Sequence, residues 1–265
     1  MPPTYVKPYV RRNKNDAADA AALCEAVSRP SMRFVTAKTA PQQAAAGIHR
    51  VRQLLVKQRT AVMNAMRGLV AEFGIAARQG LPGIAQLLAV IDDPEDPTIP
   101  DPLRSGLASL AATLRSLETE IKADKAIRAW SRNDQTCRHL DTIPGFGPIL
   151  STAMVARVPD PSVFADGRAC AASLGITPRQ DSTGGKVKLG PISKRGDGYL
   201  RKLLVNGAMS VLRSKRAKQD PWLVKLLASK PMKVAAVALA NKMARIAWAV
   251  MMRQEDYRST PAKAA

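Results

Sequence analysis

Two long apolar periodicities, separated by a stretch that no helix can cross, constrain this chain most. Residues 92–102 read DDPEDPTIPDP. The four prolines remove backbone donors and force a loop. Before it, Val51, Leu54, Leu55, Val62, Met66, Leu69 and Phe73 recur at helical spacing. They predict one long helix from about Pro41 to Phe73, with Pro41 in its first turn. After it, Leu103, Leu107, Leu110, Leu114, Leu117 and Ile121 alternate in steps of four and three. That is a heptad seam, shared with the earlier helix or with a second subunit. The plainer alternative is an amphipathic pair packed on a core. The region 41–131 is therefore read as a coiled-coil arm.

The rest of the chain is also expected to be mainly α. Hydrophobic residues make up 46% of the sequence but aromatic ones only 4%, which favours Ala/Leu/Val/Met helices over a β-sandwich. DAADAAALCEAVS (16–28) predicts a helix with acidic residues at its positive end. Residues 1–15 are Pro-rich and basic and predict extended backbone, and MRFVTAK (32–38) predicts a short strand. Two more helices are expected at 221–228 and 231–254, the latter carrying Val234, Val237, Ala238, Met243, Ile246, Ala247 and Val250. The end, RSTPAKAA, is expected to be disordered.

Charge narrows the partner. The net charge is +20, an excess that calls for a polyanion, and nucleic acid fits it. Cys24, Cys137 and Cys170 form no CxxC pair, and only His49 and His139 carry imidazoles. A zinc ribbon is excluded and a disulfide framework is not expected. No run of about eighteen apolar residues suggests a membrane span. The N-terminus lacks the apolar core of a secretory signal, so a cytoplasmic protein is expected.

Three segments carry chemistry. LDTIPGFGPILSTAMVA (140–156) sets Gly145-Phe146-Gly147 between two apolar helical patterns, as in a helix-hairpin-helix. There Gly145 and Gly147 would let backbone N–H groups meet a DNA phosphate, with Leu140, Ile143, Phe146, Ile149 and Val155 as core. A glycine turn without a ligand is the alternative. Residues 175–209 place Ser182 in the polar turn Asp181-Ser182-Thr183-Gly184-Gly185. Eleven Lys/Arg residues lie between 179 and 218, among them Arg179, Lys186, Lys188, Lys194, Arg195, Arg201 and Lys202, opposed before Gln219 by Asp181 and Asp197 alone. A hydroxyl on mobile backbone among cations suits attack on a phosphodiester. An ordinary turn beside a DNA-facing surface is the plainer reading. Finally, Asp16 and Asp19 share a helix face and offer hard oxygen ligands to Mg²⁺ or Mn²⁺. Without further context they are an N-cap and a first-turn residue.

Together, KNDAADA (14–20), IPGFGP (143–148) and TPRQDSTGGK…GPISKRGDGYLRKLL (177–204) resemble the DEDD-type insertion-sequence transposases, described as bridge-RNA-guided recombinases. The similarity covers nearly the whole chain, including the helix after TAKTAPQQ. It implies a RuvC-like domain with four acidic residues, a coiled coil and a C-terminal transposase domain. Asp16 and Asp19 match the last two acidic residues, and Ser182 matches the family's nucleophile. Thr183 and Ser193 are passed over because of the distance from residue 182 to Ile192-Ser193-Lys194. The implied partners are double-stranded DNA, a structured guide RNA and further copies of the chain, with Mg²⁺ or Mn²⁺ as cofactor.

The resemblance assigns 1–40 to the end of a RuvC-like α/β domain, 41–131 to the arm, 132–256 to a compact helical transposase domain and 257–265 to a tail. The first two acidic residues have no match, and Glu25 does not sit where either belongs. An N-terminally truncated member with a half-built metal site is the expectation. A non-catalytic helix-hairpin-helix DNA-binding protein is the alternative, and an RNA-binding protein the third. On any DNA reading, affinity for a duplex should fall about a thousandfold between about 50 and 200 mM salt, if some six phosphates are neutralised. A flat response in a fluorescence titration would contradict the charge argument.

Overall fold

The computed structural model describes residues 1, 3–10, 15–30, 32, 34, 36–78, 80–122 and 125–258. Helix dominates it, as the composition predicts. The N-terminal segment holds α1 (Pro3–Val6), a 3-10 turn (Lys7–Tyr9) and α2 (Asp16–Val27). Where extended backbone is expected for 1–15, the described residues Pro3–Tyr9 form helical turns instead. The described residues within 32–38 form no strand, and the RSTPAKAA stretch lies, beyond Arg258, outside the described residues. A RuvC-like α/β unit in 1–40 therefore has no strand behind it among the described residues.

The arm follows. α3 (Ala40–Ala71) starts at a capping box, in which the Thr39 hydroxyl accepts from the Gln42 N–H and the Gln42 side chain accepts from the Thr39 N–H. It ends where Gly74 takes φ +78° and the Ile75 N–H reaches back to the Val70 carbonyl. Its 32 residues span about 48 Å. α4 (Leu81–Asp92), which the sequence analysis does not anticipate, and α5 (Asp101–Lys122) pack beside its C-terminal half. Met66 and Val70 of α3 meet Ile84, Leu87 and Ile91 of α4 and Leu107, Ala111 and Leu114 of α5. The leucine seam is thus filled from within this chain. Arg104 holds the acidic loop shut, donating to the carbonyls of Val90, Asp93, Asp96 and Ile99.

The C-terminal body comprises α6 (Lys125–Asn133), α7 (Gln135–Asp141), α8 (Pro148–Arg157), α9 (Gly167–Ser173), strands β1 (Pro178–Gln180) and β2 (Leu189–Ile192), α10 (Gly198–Arg213), α11 (Pro221–Ser229) and α12 (Met232–Arg253). α12 has the length and composition to cross a membrane, but it is the centre of this core, and a buried core helix meets the same measure. Its buried face is chiefly alanine: Ala235, Ala236, Ala240, Ala244 and Ala247, with Leu239 and Met243. Such small side chains let α9 and α10 approach closely. The Trp248 indole donates to the Pro161 carbonyl at 2.9 Å and closes one side.

The same close packing fixes the turn between α7 and α8. Gly145 has φ +88°, and a Cβ there would lie 2.8 Å from the Gly207 carbonyl oxygen on α10. A Cβ on Gly207 would lie 2.2 Å from the Gly145 carbonyl oxygen. Gly207→Ala should therefore cost about 2 kcal/mol or more and lower Tm by several degrees. Gly147 has open space, and Gly147→Ala should cost under about 1 kcal/mol. Equal melting temperatures for the two variants would refute this account.

Candidate nucleic-acid interface and nucleophile

β1 and β2 form an antiparallel hairpin, with Gln180 opposite Leu189. Beyond the assigned strands the pairing continues: the Asp181 N–H donates to the Lys188 carbonyl, and Thr183 bridges Lys186. Gly184 and Gly185, at φ +55° and +75°, make the two-residue tip, a geometry glycine adopts at no steric cost. Every residue from Pro178 to Pro191 is exposed, so this ribbon projects from the body. Ser182 lies near its tip. Its hydroxyl accepts from the Lys188 backbone N–H at 3.1 Å and faces solvent.

The cations are distributed along this ribbon and its base. Arg179, Lys186 and Lys188 are exposed on the hairpin. The register sets Ser182 opposite Val187, so the pleat places Lys186 and Lys188 on the other face of a thin ribbon. Lys194 and Arg195 are exposed in the loop that follows β2. That loop is pinned to the end of α9. The Ser193 N–H donates to the Thr177 carbonyl and the Lys194 N–H to the Gly175 carbonyl. A Cβ on Gly175 would lie 2.0 Å from the Arg195 carbonyl oxygen, and one on Gly196 1.9 Å from that of Ser173. Lys194 itself is held at φ +54°, a region costly for a side chain with a Cβ.

Two other basic residues behave differently. Arg201 donates from Nη1 to the carbonyls of Leu174 and Arg195, and so braces the loop. Lys202 is exposed one position further along α10. In the glycine turn, Gly145 is spent on packing against α10, whereas Gly147 leaves the start of α8 open. Leu140, Ile143 and Val155 are buried, and Phe146 and Ile149 half-buried.

Asp16 and Asp19 are not gathered into this assembly. Asn15, rather than Asp16, caps α2, its side chain accepting from the Ala18 N–H at 2.6 Å. The two carboxylates sit in the first turn of a helix that packs mainly on α1 and the 7–9 turn. Among the described residues no three His, Cys, Asp or Glu side chains cluster to hold a metal. Two carboxylates alone do not complete a Mg²⁺ site, which needs about six oxygens.

Cysteine is not the nucleophile in the body. Burial pushes the Cys170 thiol up to about 12. Burial, and then the Asp134 carboxylate, raise Cys137 further still. Both remain protonated and inert.

The sequence analysis missed a buried polar junction. His49, on α3 and 3% exposed, lies 3.1 Å by Nδ1 from the Tyr199 hydroxyl and 3.0 Å by Nε2 from Thr152 Oγ1. The Thr152 hydroxyl donates to the Pro148 carbonyl at 2.6 Å. A consistent chain follows, in which Tyr199 donates to Nδ1 and Nε2–H donates to Thr152. Next to it, Arg157 Nε pairs with Asp197 Oδ2 at 2.7 Å, and Asp197 Oδ1 accepts the N–H groups of Tyr199 and Leu200. The only sequence signal was a lone histidine in an alanine-rich helix start.

Comparison with known proteins was made against this geometry. Residues 137–222, which contain the glycine turn, the hairpin and α10, match the model of the family "Transposase IS116/IS110/IS902 family". A "Probable family 20 transposase" of Pseudomonas aeruginosa is 48% identical over 97% of this chain and 77% of its own length. The chain belongs to this transposase family. The "Transposase for insertion sequence element IS1328" of Yersinia enterocolitica is 40% identical, over 94% of the chain and 75% of the relative. That for IS1111A of Coxiella burnetii is 39% identical, over 97% and 71%. The family model runs from Cys137 to Trp222 and so takes in the glycine turn, the hairpin and α10, while the arm and α12 fall within the longer matches to whole relatives.

The junction generates a test. Tyr199→Phe should cost about 1 kcal/mol in urea unfolding, and His49→Leu about 2 kcal/mol or more, because Tyr199 and Thr152 lose a shared partner. The double variant should lose less than the sum. Additive losses would mean that the three side chains do not act as a unit.

Proposed function

We propose that this transposase cuts and rejoins DNA through Ser182. The observation that carries the reading is the exposed Ser182 hydroxyl near a glycine tip, within the basic hairpin of the family's matched domain. In the proposed step Oγ loses its proton to water and bonds to a backbone phosphorus. The bond from phosphorus to the 3′ or 5′ oxygen breaks, and that oxygen takes up a proton. The bond energy is kept in a covalent serine–phosphate linkage, ready for attack by another strand end. Lys194 and Arg195, at the base of the ribbon and away from its tip, would neutralise DNA phosphates there. Arg179, Lys186, Lys188 and Lys202 would hold flanking phosphates, and the Gly147 end of α8 would offer backbone N–H groups to another. Arg201 supports the loop from behind.

A divalent metal would take Asp16 and Asp19 as two oxygen ligands only if others joined them, and no step here depends on it. The relatives' names speak of insertion sequences; for this chain that reading implies work on element DNA inside a bacterial cell, with a structured guide RNA as a further proposed partner. A second copy would find apolar side chains along α3 and just past its end at Val51, Leu54, Leu69 and Phe73, all exposed. The second reading, a non-catalytic duplex-binding protein, rests on the same exposed basic hairpin, whose cations would hold phosphates without any reaction.

The deciding experiment incubates the protein with labelled element-end DNA and resolves adducts on a denaturing gel. A covalent adduct is expected for the unaltered protein and for Ser193→Ala, and none for Ser182→Ala. Duplex binding without any adduct, indifferent to Ser182→Ala, would favour the second reading.

A further inference from the structure

Where the arm joins the body, positive charge accumulates beyond what the neighbouring carboxylate neutralises. Lys38 precedes the cap of α3, Arg50 lies next to His49, and Arg157 ends α8. Arg157 pairs with Asp197, and Lys38 lies within electrostatic reach of Arg157, Arg50 and Asp197. Both oxygens of Asp197 are already engaged, Oδ1 by two backbone N–H groups and Oδ2 by Arg157 at 2.7 Å. Among the described residues, neither Lys38 nor Arg50 has an ion-pair partner of its own within contact distance. Partial burial, then Arg157 and Arg50, hold the Lys38 ammonium below its usual range, with Asp197 opposing them. The start of α3 follows Lys38 directly and the start of α10 follows Asp197. Each helix N-terminus adds partial positive charge at its own end, α3 beside Lys38 and α10 beside Asp197.

A protein gains nothing in stability from crowding like charges. The arrangement is what a polyanion contact requires, and it adjoins Lys194 and Arg195 through Asp197. We propose that Lys38 and Arg50, with Arg157 behind them, form a second phosphate-contact surface that receives the backbone of duplex DNA where the arm leaves the body. It extends the track proposed for the hairpin and so rests on the reading of this chain as a DNA-handling transposase. It does not require Ser182 to be the nucleophile.

Two consequences separate this from a structural role. Lys38→Ala/Arg50→Ala should weaken binding of the full chain to a 30-base-pair DNA of arbitrary sequence roughly tenfold at about 150 mM salt. The slope of log affinity against log salt should become shallower by about two. Meanwhile Tm should hold or rise, because a repulsion has been removed. An unchanged slope overturns the proposal. If the double variant unfolds, Arg50→Glu, at an exposed position, decides by the same slope. Loss of affinity for duplex RNA of equal length with no loss for DNA would also overturn it. An adduct that forms normally in a double variant of unchanged slope sinks this surface alone. A reduced slope in a protein that never forms an adduct sinks only the serine mechanism.

Discussion

The exposed chemistry of this transposase hangs from one crossing, the approach of α10 to α12 and to the glycine turn before α8. Gly207 and Gly145 meet there with their backbones almost in contact, and the alanine face of α12 receives the other side. No residue with a Cβ fits at either glycine without displacement. Because α10 is held so tightly, its first turn is fixed, and Asp197 can cap it while pairing with Arg157. The loop from Ser193 to Gly196 is then clamped between α10 and the end of α9. The hairpin that grows from that clamp has no apolar cover of its own. A lone two-stranded ribbon is marginal in water. Its order comes from the anchored base, which leaves its tip free to adapt to a ligand.

The arm is joined to this body by similar means. α3 contributes to two cores: Ala45 and Ala46 pack near Ala156 and Trp130, and Met66 and Val70 pack with α4 and α5. Between them the helix is largely exposed, so its direction is set at the body end. His49 sits at that point, and its hydrogen bonds reach both α8 and α10. A rigid helix of this length converts a small rotation at the junction into a large displacement at its far end. The polar network is therefore placed where it can define the angle between arm and hairpin.

Much of this was legible in the sequence. The start of α3 near Pro41, the acidic loop, the leucine seam of α5 and the two C-terminal helices follow from periodicity and from proline, which act locally. The polar Ser182 turn was readable from its glycines. α4 escaped because its pattern, with Ile84, Leu87 and Ile91, is short and lies between glycine and proline signals. The extended backbone expected for 1–15 gives way to helical turns at Pro3–Tyr9, and the described residues of 32–38 form no strand, because so few residues carry little periodicity and context decides. Gly145 was assigned to phosphate because a Gly-x-Gly turn looks the same whether its open side faces a ligand or another helix.

By itself, the sequence determined the helical class, the polyanion partner, the family and the residues that could carry chemistry, because these depend on composition, spacing and motif. Only the tertiary structure decided which glycine packs and which stays open, that Arg201 braces while its neighbours are exposed, and that His49 meets Tyr199 across 150 positions of chain. It also decided that Arg157 pairs with Asp197 while Lys38 lies within electrostatic reach of both. Such pairings depend on which surfaces bury together. That follows from the packing of whole helices and leaves no periodic trace along the chain.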